Sequence, residues 1–324
     1  MTQFVALGET PLRLSPPGHQ RLERAESLAL TADGTESNAA VAAHALGTQA
    51  VWLSKLTDSP IGRRVQTAID AQGVETDVTW VENGKQGLLF DESSVSPRQG
   101  RQVNRRENAA MASATPSNLP MNRVQQAEML CTGLSTSVLS QKVAETATAL
   151  LRAGSGAGGR TVVAFDYDPT LAERTVYQGV FEELSEHTDV VVGTERGIQG
   201  VLNTDGNKRE LASTLAFDYD LNIAAVVEPG NDGVVIEDTG GSSLAHERDG
   251  LPSQTVDPTG EFGAIVGGFA HALLRGGDGA SALDTGLAAG ALARTIDGPF
   301  LQTTPDEFDG VLDQIQTSSS GSRY

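Results

Sequence analysis

Short apolar runs alternate with helical patterns along nearly the whole chain, which predicts βαβ units around a mostly parallel sheet. Phe4 to Gly8 reads as a first strand. Ala39 to Leu46 reads as an alanine-rich helix that stops at Gly47, and Ala50 to Lys55 returns as strand. Gly62 to Gln72 is helical, with Gly73 as its C-terminal stop. Further on, Glu128 to Gly133, Thr161 to Asp166, Asp189 to Gly193 and Ile223 to Glu228 read as buried strands, and Ser140 to Ala153 as a helix. Val234 to Glu237 pairs back across the turn Gly230-Asn231-Asp232-Gly233 as a hairpin. The last third is helical over Gly263 to Arg275, Ala280 to Thr295 and Pro305 to Gln316.

Two stretches break this rhythm. Leu12 to Leu30 and Gly87 to Arg106 are polar, strand-like and too short to enclose a core, so they are expected to pair as a small β-lid over a ligand held at the carboxyl ends of the main strands. The predicted architecture is thus a single domain over 1–317, with a disordered tail at 318–324. The glycine run Gly154 to Gly159 lacks a Lys-Ser/Thr pair and precedes a strand, so it reads as a flexible connection, not a phosphate loop. The small-residue run Ala288-Ala289-Gly290-Ala291 fits close helix packing or an adenine wall.

Charge narrows the possible partners. Forty-two acidic side chains face 23 basic ones, a net charge of −19 that argues against nucleic acid and against an anionic membrane surface. Only four of the basic residues are lysines (Lys55, Lys85, Lys142, Lys208). That composition suits a protein working in concentrated salt, where self-repulsion is screened within about 3 Å. With one cysteine, Cys131, no basic-plus-apolar leader and no apolar run of about 18 residues, the expectation is a cytoplasmic protein. Cys131 lies in an apolar run and is expected in the core. Five scattered histidines show no metal-ligand spacing, and His19 is expected in a lid turn.

Several segments, in order, resemble the ribokinase-like (PfkB) sugar kinases, and among them the 2-keto-3-deoxygluconate kinases. These are Gly8-Glu9 after the first strand, Gly18-His19, Asp33-Gly34-Thr35-Glu36-Ser37-Asn38 before the first helix, and Leu53 to Asp58 with Gly62. Gly100-Arg101 approaching Arg106, and Val256-Asp257-Pro258-Thr259-Gly260 leading into Gly267-Gly268-Phe269, complete the set. The resemblance implies a three-layer α/β/α sandwich with a β-lid, ATP and magnesium as cofactors, a sugar or sugar acid as substrate, and a homodimer formed through the lid. It places Gly34, Asn38, Arg106 and Asp166 at the sugar, and Thr194, Gly230, Gly233 and Asp257 at the nucleotide. The glycine amides at the helix start near Gly260 would stabilise the transferring phosphoryl group. An aspartate in the first turn would take the proton of the attacking hydroxyl.

At that helix start the chain departs from the pattern. It reads Gly260-Glu261-Phe262-Gly263, so the base position is Gly263 and a carboxylate, Glu261, enters the phosphate hole. Asp33 replaces the first of two paired glycines. The magnesium-organising glutamate falls at Gly197, leaving Glu195 as the candidate metal residue; the Tyr-Arg expected after Asp166 is deleted. Read from the residues alone, Gly34 and Asn38 fit a tight turn and helix start as well as a sugar contact. Arg105 and Arg106 fit carboxylate pairing or solvated edge charges, and Asp257 fits a helix cap. Two functions follow as expectations: an ATP-dependent kinase of a 2-keto-3-deoxygluconate-like substrate with weakened catalysis, or an inactive paralogue that binds a ligand or pairs with an active subunit.

Overall fold

In a computed structural model, which describes residues 3–318, thirteen strands form two sheets. The strands are β1 (Phe4–Leu7), β2 (Leu12–Ser15), β3 (Ala29–Ala32), β4 (Ala50–Thr57), β5 (Glu75–Val81), β6 (Leu88–Glu92) and β7 (Arg101–Arg105). They continue with β8 (Met129–Gly133), β9 (Arg160–Phe165), β10 (Val190–Thr194), β11 (Ile223–Glu228), β12 (Asp232–Asp238) and β13 (Ser243–Asp249). The helices are α1 (Thr35–Ala45), α2 (Pro60–Asp70), α3 (Met121–Gln126), α4 (Leu134–Ser137), α5 (Gln141–Gly156) and α6 (Arg174–Ser185). After them come α7 (Glu195–Leu202), α8 (Lys208–Asp218), α9 (Glu261–Leu274), α10 (Gly279–Ala293) and α11 (Pro305–Ser318).

The nine-stranded sheet runs in the order β13-β12-β11-β10-β9-β8-β1-β4-β5, parallel from β5 to β11 and antiparallel at the β11–β12–β13 edge. Its central strands, β1 and β8 to β11, are apolar on both faces because helices cover both. Phe4 and Ala6 of β1 join the core under α1, α9 and α10, while Val5 and Leu7 join the core under α5, α6 and α8. Cys131 is fully buried on β8, as its surroundings in the sequence predict. The lid is a second sheet, β3-β2-β6-β7, built from both polar stretches.

Differences from expectation have local causes. α1 starts four residues before Ala39, because Gly34 is extended and Thr35 to Asn38 are polar side chains that a helix start accepts. α5 runs on through Gly154 to Gly156, so part of the glycine run is helix. β13 is half exposed and too polar to stand out as a strand, yet it pairs along its whole length with β12. The tail expected at 318–324 lies, from residue 319 on, outside the described residues.

Small residues set the contact that matters most for the site. A Cβ built on Gly267 of α9 would lie 2.3 Å from the Ala39 carbonyl oxygen of α1, so the two helices meet backbone to backbone here and only glycine leaves room for that spacing.

Candidate active site

The parallel strands all end on one edge, and the loops after β1, β8, β9, β10 and β11 meet there with the first turns of α1 and α9, under the lid. Gly8-Glu9, Ser135, Asp166, Thr194 and Gly230 are therefore neighbours because of the sheet order, far apart as they are in sequence.

Sugar-side residues converge. Arg106, at the lid's end, donates from Nε to Glu9 Oε2 at 2.5 Å, and both side chains are almost completely buried. Burial pushes the Glu9 carboxyl up, and Arg106 opposes it. Asp166 accepts from the Ser135 amide at 2.9 Å and from Thr35 Oγ1 at 3.5 Å. Burial also raises its pKa, against the hydrogen bonds of Ser135 and the charge of Arg106. Glu36 reaches beneath both, its Oε1 accepting from the Gly133 amide at 2.8 Å; burial pushes its pKa up to about 7. Gly34 presses on Glu9 and Thr10 so closely that a Cβ there would lie 2.4 Å from the Glu9 carbonyl oxygen.

Asn38 is turned inward. Its Nδ2 donates to Asp33 Oδ1 at 2.9 Å, so Asp33 holds the asparagine side chain in place. Arg13 of the lid compensates the acids here, 2.5 Å from Asp91 and 3.9 Å from Asp257. Four buried oxygen atoms around the cleft have no hydrogen-bond partner: Glu9 Oε1, Asn38 Oδ1, Gln86 Oε1 and Asn104 Oδ1. All four are acceptors, and hydroxyl donors would satisfy them.

On the nucleotide side, each implied residue is engaged by the chain itself. Thr194 caps α7, its Oγ1 accepting from the Gly197 amide at 3.0 Å. Asp257 accepts from the amides of Thr259 (2.9 Å) and Gly298 (3.1 Å). Burial would raise its pKa, but those bonds and Arg13 hold it below the usual carboxylate value. Gly233 packs on Leu283 and Val227. The Glu261 carboxylate, on the first residue of α9, is 3.2 Å from Arg294 Nη1 and buried with it. A Cβ on Gly230 would lie 1.9 Å from that same guanidinium nitrogen.

Position 263 faces Asn38. A Cβ there would lie 2.5 Å from the Asn38 Cβ and 2.9 Å from the Thr35 carbonyl oxygen, so the base position is filled space.

The candidate metal residue is also engaged. Glu195 lies 2.8 Å from Lys208 Nζ, which also reaches Asp232 (3.1 Å) and Glu228 (3.5 Å). Burial, which would lower the Lys208 pKa, is outweighed by these carboxylates, so the ammonium stays charged. No group of three or more His, Cys, Asp or Glu among the described residues is arranged to hold a metal ion. The Lys208 ammonium already neutralises Glu195, so these residues do not fit magnesium.

Residues 1–303 match the model of the pfkB family carbohydrate kinases. The chain belongs to that family. It is 39% identical over 310 residues, 96% of each chain, to a 2-dehydro-3-deoxygalactonokinase from Haloferax volcanii. It is 24% identical to a 5-dehydro-2-deoxygluconokinase from Geobacillus kaustophilus, over 89% of this chain and 87% of that one. Among solved structures, 2-dehydro-3-deoxygluconokinase from Thermotoga maritima superposes with a TM-score of 0.85 over 97% of this chain and 100% of that one, at 23% identity. Fructokinase with bound ATP from Xylella fastidiosa gives 0.80 over 98% and 100%, at 19% identity. These neighbours share the ribokinase-like fold, and the chain is a PfkB sugar kinase homologous to the 2-keto-3-deoxy sugar kinases.

Nothing local in the sequence gives Arg13, Lys208 or Arg294 a role at the site, where they pair with its acids. The available signal was the need of a buried acid for a cation: Asp33 and Glu261 inside motifs require partners. Only the fold shows which arginines supply them. A cavity of about 560 Å³ lies at the other ends of α1 and α9, lined among others by Leu46, His271, Arg275 and Phe308, and none of the site residues reaches it.

Proposed function

We propose that the chain binds a 2-keto-3-deoxy sugar acid between lid and sheet, and that phosphoryl transfer from ATP to it is strongly attenuated. The substrate class follows from the identity to the Haloferax enzyme over almost the whole of both chains. Four partnerless buried acceptors on the cleft residues Glu9, Asn38, Gln86 and Asn104 support a polyhydroxylated ligand, and Arg106 beside Glu9 supports an acid group on it. The guanidinium meets the carboxylate and the hydroxyls donate to the oxygens. The attenuation rests on one observation: Gly263 has no side chain, and Asn38 and the start of α1 fill the place a base would take. Loss of a positioned base costs about 10²–10⁴ in rate.

The test pairs two measurements in molar KCl. Calorimetry with 2-keto-3-deoxygluconate and 2-keto-3-deoxygalactonate should show saturable binding. A coupled kinase assay with ATP and magnesium should give turnover at least about 10² below the Haloferax relative under the same conditions. Turnover equal to that relative, or no binding of either sugar acid, overturns the reading.

A further inference from the structure

We propose that the Glu261–Arg294 ion pair is a built-in occupant of the phosphoryl site, and that it makes this protein a nucleotide-independent binder of its sugar. The place is set by the fold. Gly260 enters α9 in a left-handed conformation (φ 81°), and a Cβ on it would lie 2.0 Å from the Pro299 carbonyl oxygen, so the loop after α10 lies directly against the helix start. The same loop is stitched to the segment before α9, where the amides of Val256 and Asp257 both donate to the Arg294 carbonyl oxygen, at 2.9 and 3.2 Å. Arg294 then turns its side chain back under Gly230, with Nη2 3.4 Å from the Ser253 carbonyl oxygen and Nη1 on Glu261.

A carboxylate on the first residue of a helix, paired to a guanidinium, uses two attractions a phosphoryl group would use: the positive end of the helix dipole and a fixed cation. Glu261 is 4% exposed and Arg294 8%, so neither leaves for solvent without breaking a buried pair. A triphosphate brought to the same place finds the space filled and the guanidinium already neutralised by Glu261. The remaining nucleotide-side groups are committed elsewhere, Thr194 to the α7 amide and Glu195 to Lys208.

Binding of ATP, with and without magnesium, is measured by calorimetry and by displacement of a fluorescent ATP analogue in molar KCl. Wild type should show no saturable binding up to millimolar concentration. Glu261→Gln keeps the volume and removes the charge, leaving Arg294 to face the phosphates. Glu261→Ala with Arg294→Ala removes the occupant altogether. Each should raise ATP affinity about tenfold or more. Micromolar binding by wild type overturns the inference, as does a folded Glu261→Gln protein with no gain, whether or not the double variant folds. The same samples are titrated with the sugar acid. Sugar binding lost while the nucleotide results hold would remove the proposed function and leave this inference. ATP bound by wild type without transfer would do the reverse.

Discussion

Asn38 and Gly263 share one place: a Cβ on the glycine would lie 2.5 Å from the Cβ of the asparagine. The asparagine amide is at the same time bound to Asp33, so it cannot swing away without giving up that bond. Gly263→Asp therefore does not simply restore a base. It overpacks the α1–α9 contact and should destabilise the protein by about 1–3 kcal/mol in urea titrations, with no rise in the coupled assay. A well-folded variant with increased turnover would show that the helices yield.

Glu9 and Arg106 depend on one another. Arg106→Ala would strand a carboxylate that is 2% exposed, which should cost roughly 3 kcal/mol of stability and abolish sugar-acid binding. Glu9→Gln combined with Arg106→Met should recover much of the stability without recovering binding. Binding retained in the double variant would place the acid group elsewhere.

Glu36 gives the fold a pH dependence. Its pKa is about 7 in the folded chain against an unfolded value of 4.5, so the folded state holds the extra proton between those values. Stability is fully present below pH 4.5 and is lost as pH rises through 7, on the order of 3 kcal/mol in all. Glu36→Gln keeps an acceptor for the Gly133 amide and cannot ionise. Unfolding curves at fixed pH should show wild type falling relative to this variant from pH 4.5 to 8; parallel curves would rule the effect out.

Salt should stabilise the chain. Surface pairs such as Arg63–Asp58 and Arg209–Glu247 weaken as salt rises, but exposed pairs contribute less than about 1 kcal/mol each. Relief of the repulsion behind a net charge of −19 is the larger effect. The melting temperature should rise between 0.2 and 2 M KCl; a flat or falling curve would contradict this.

Much of this was legible before the fold was known, because the carriers are periodic or local. The apolar runs gave β1, β8, β9, β10 and β11 to within a residue or two, since strands buried on both faces must be apolar throughout. The two polar interruptions supplied all four lid strands. Gly263 and Glu261 stood out because a motif has fixed spacing. What could not be read was occupancy. The sequence shows that Asp33, Glu195 and Glu261 are acids in unusual places, but the charges that offset them, Arg13, Lys208 and Arg294, come from β2, the start of α8 and the end of α10. Those pairings exist only through tertiary contact. For the same reason Glu261, which spacing alone suggests as a free repelling charge, is a neutralised one.

The close approach of α1 to α9 also explains which parts of a family signature persist. Gly260 is held by its left-handed backbone and the Pro299 carbonyl, and Gly267 by the Ala39 carbonyl, so either replaced by a larger residue would force the scaffold apart. No such steric demand protects an aspartate at 263 or a small residue at 261. Packing alone therefore holds the glycines that identify the lineage, whatever stands at 261 and 263.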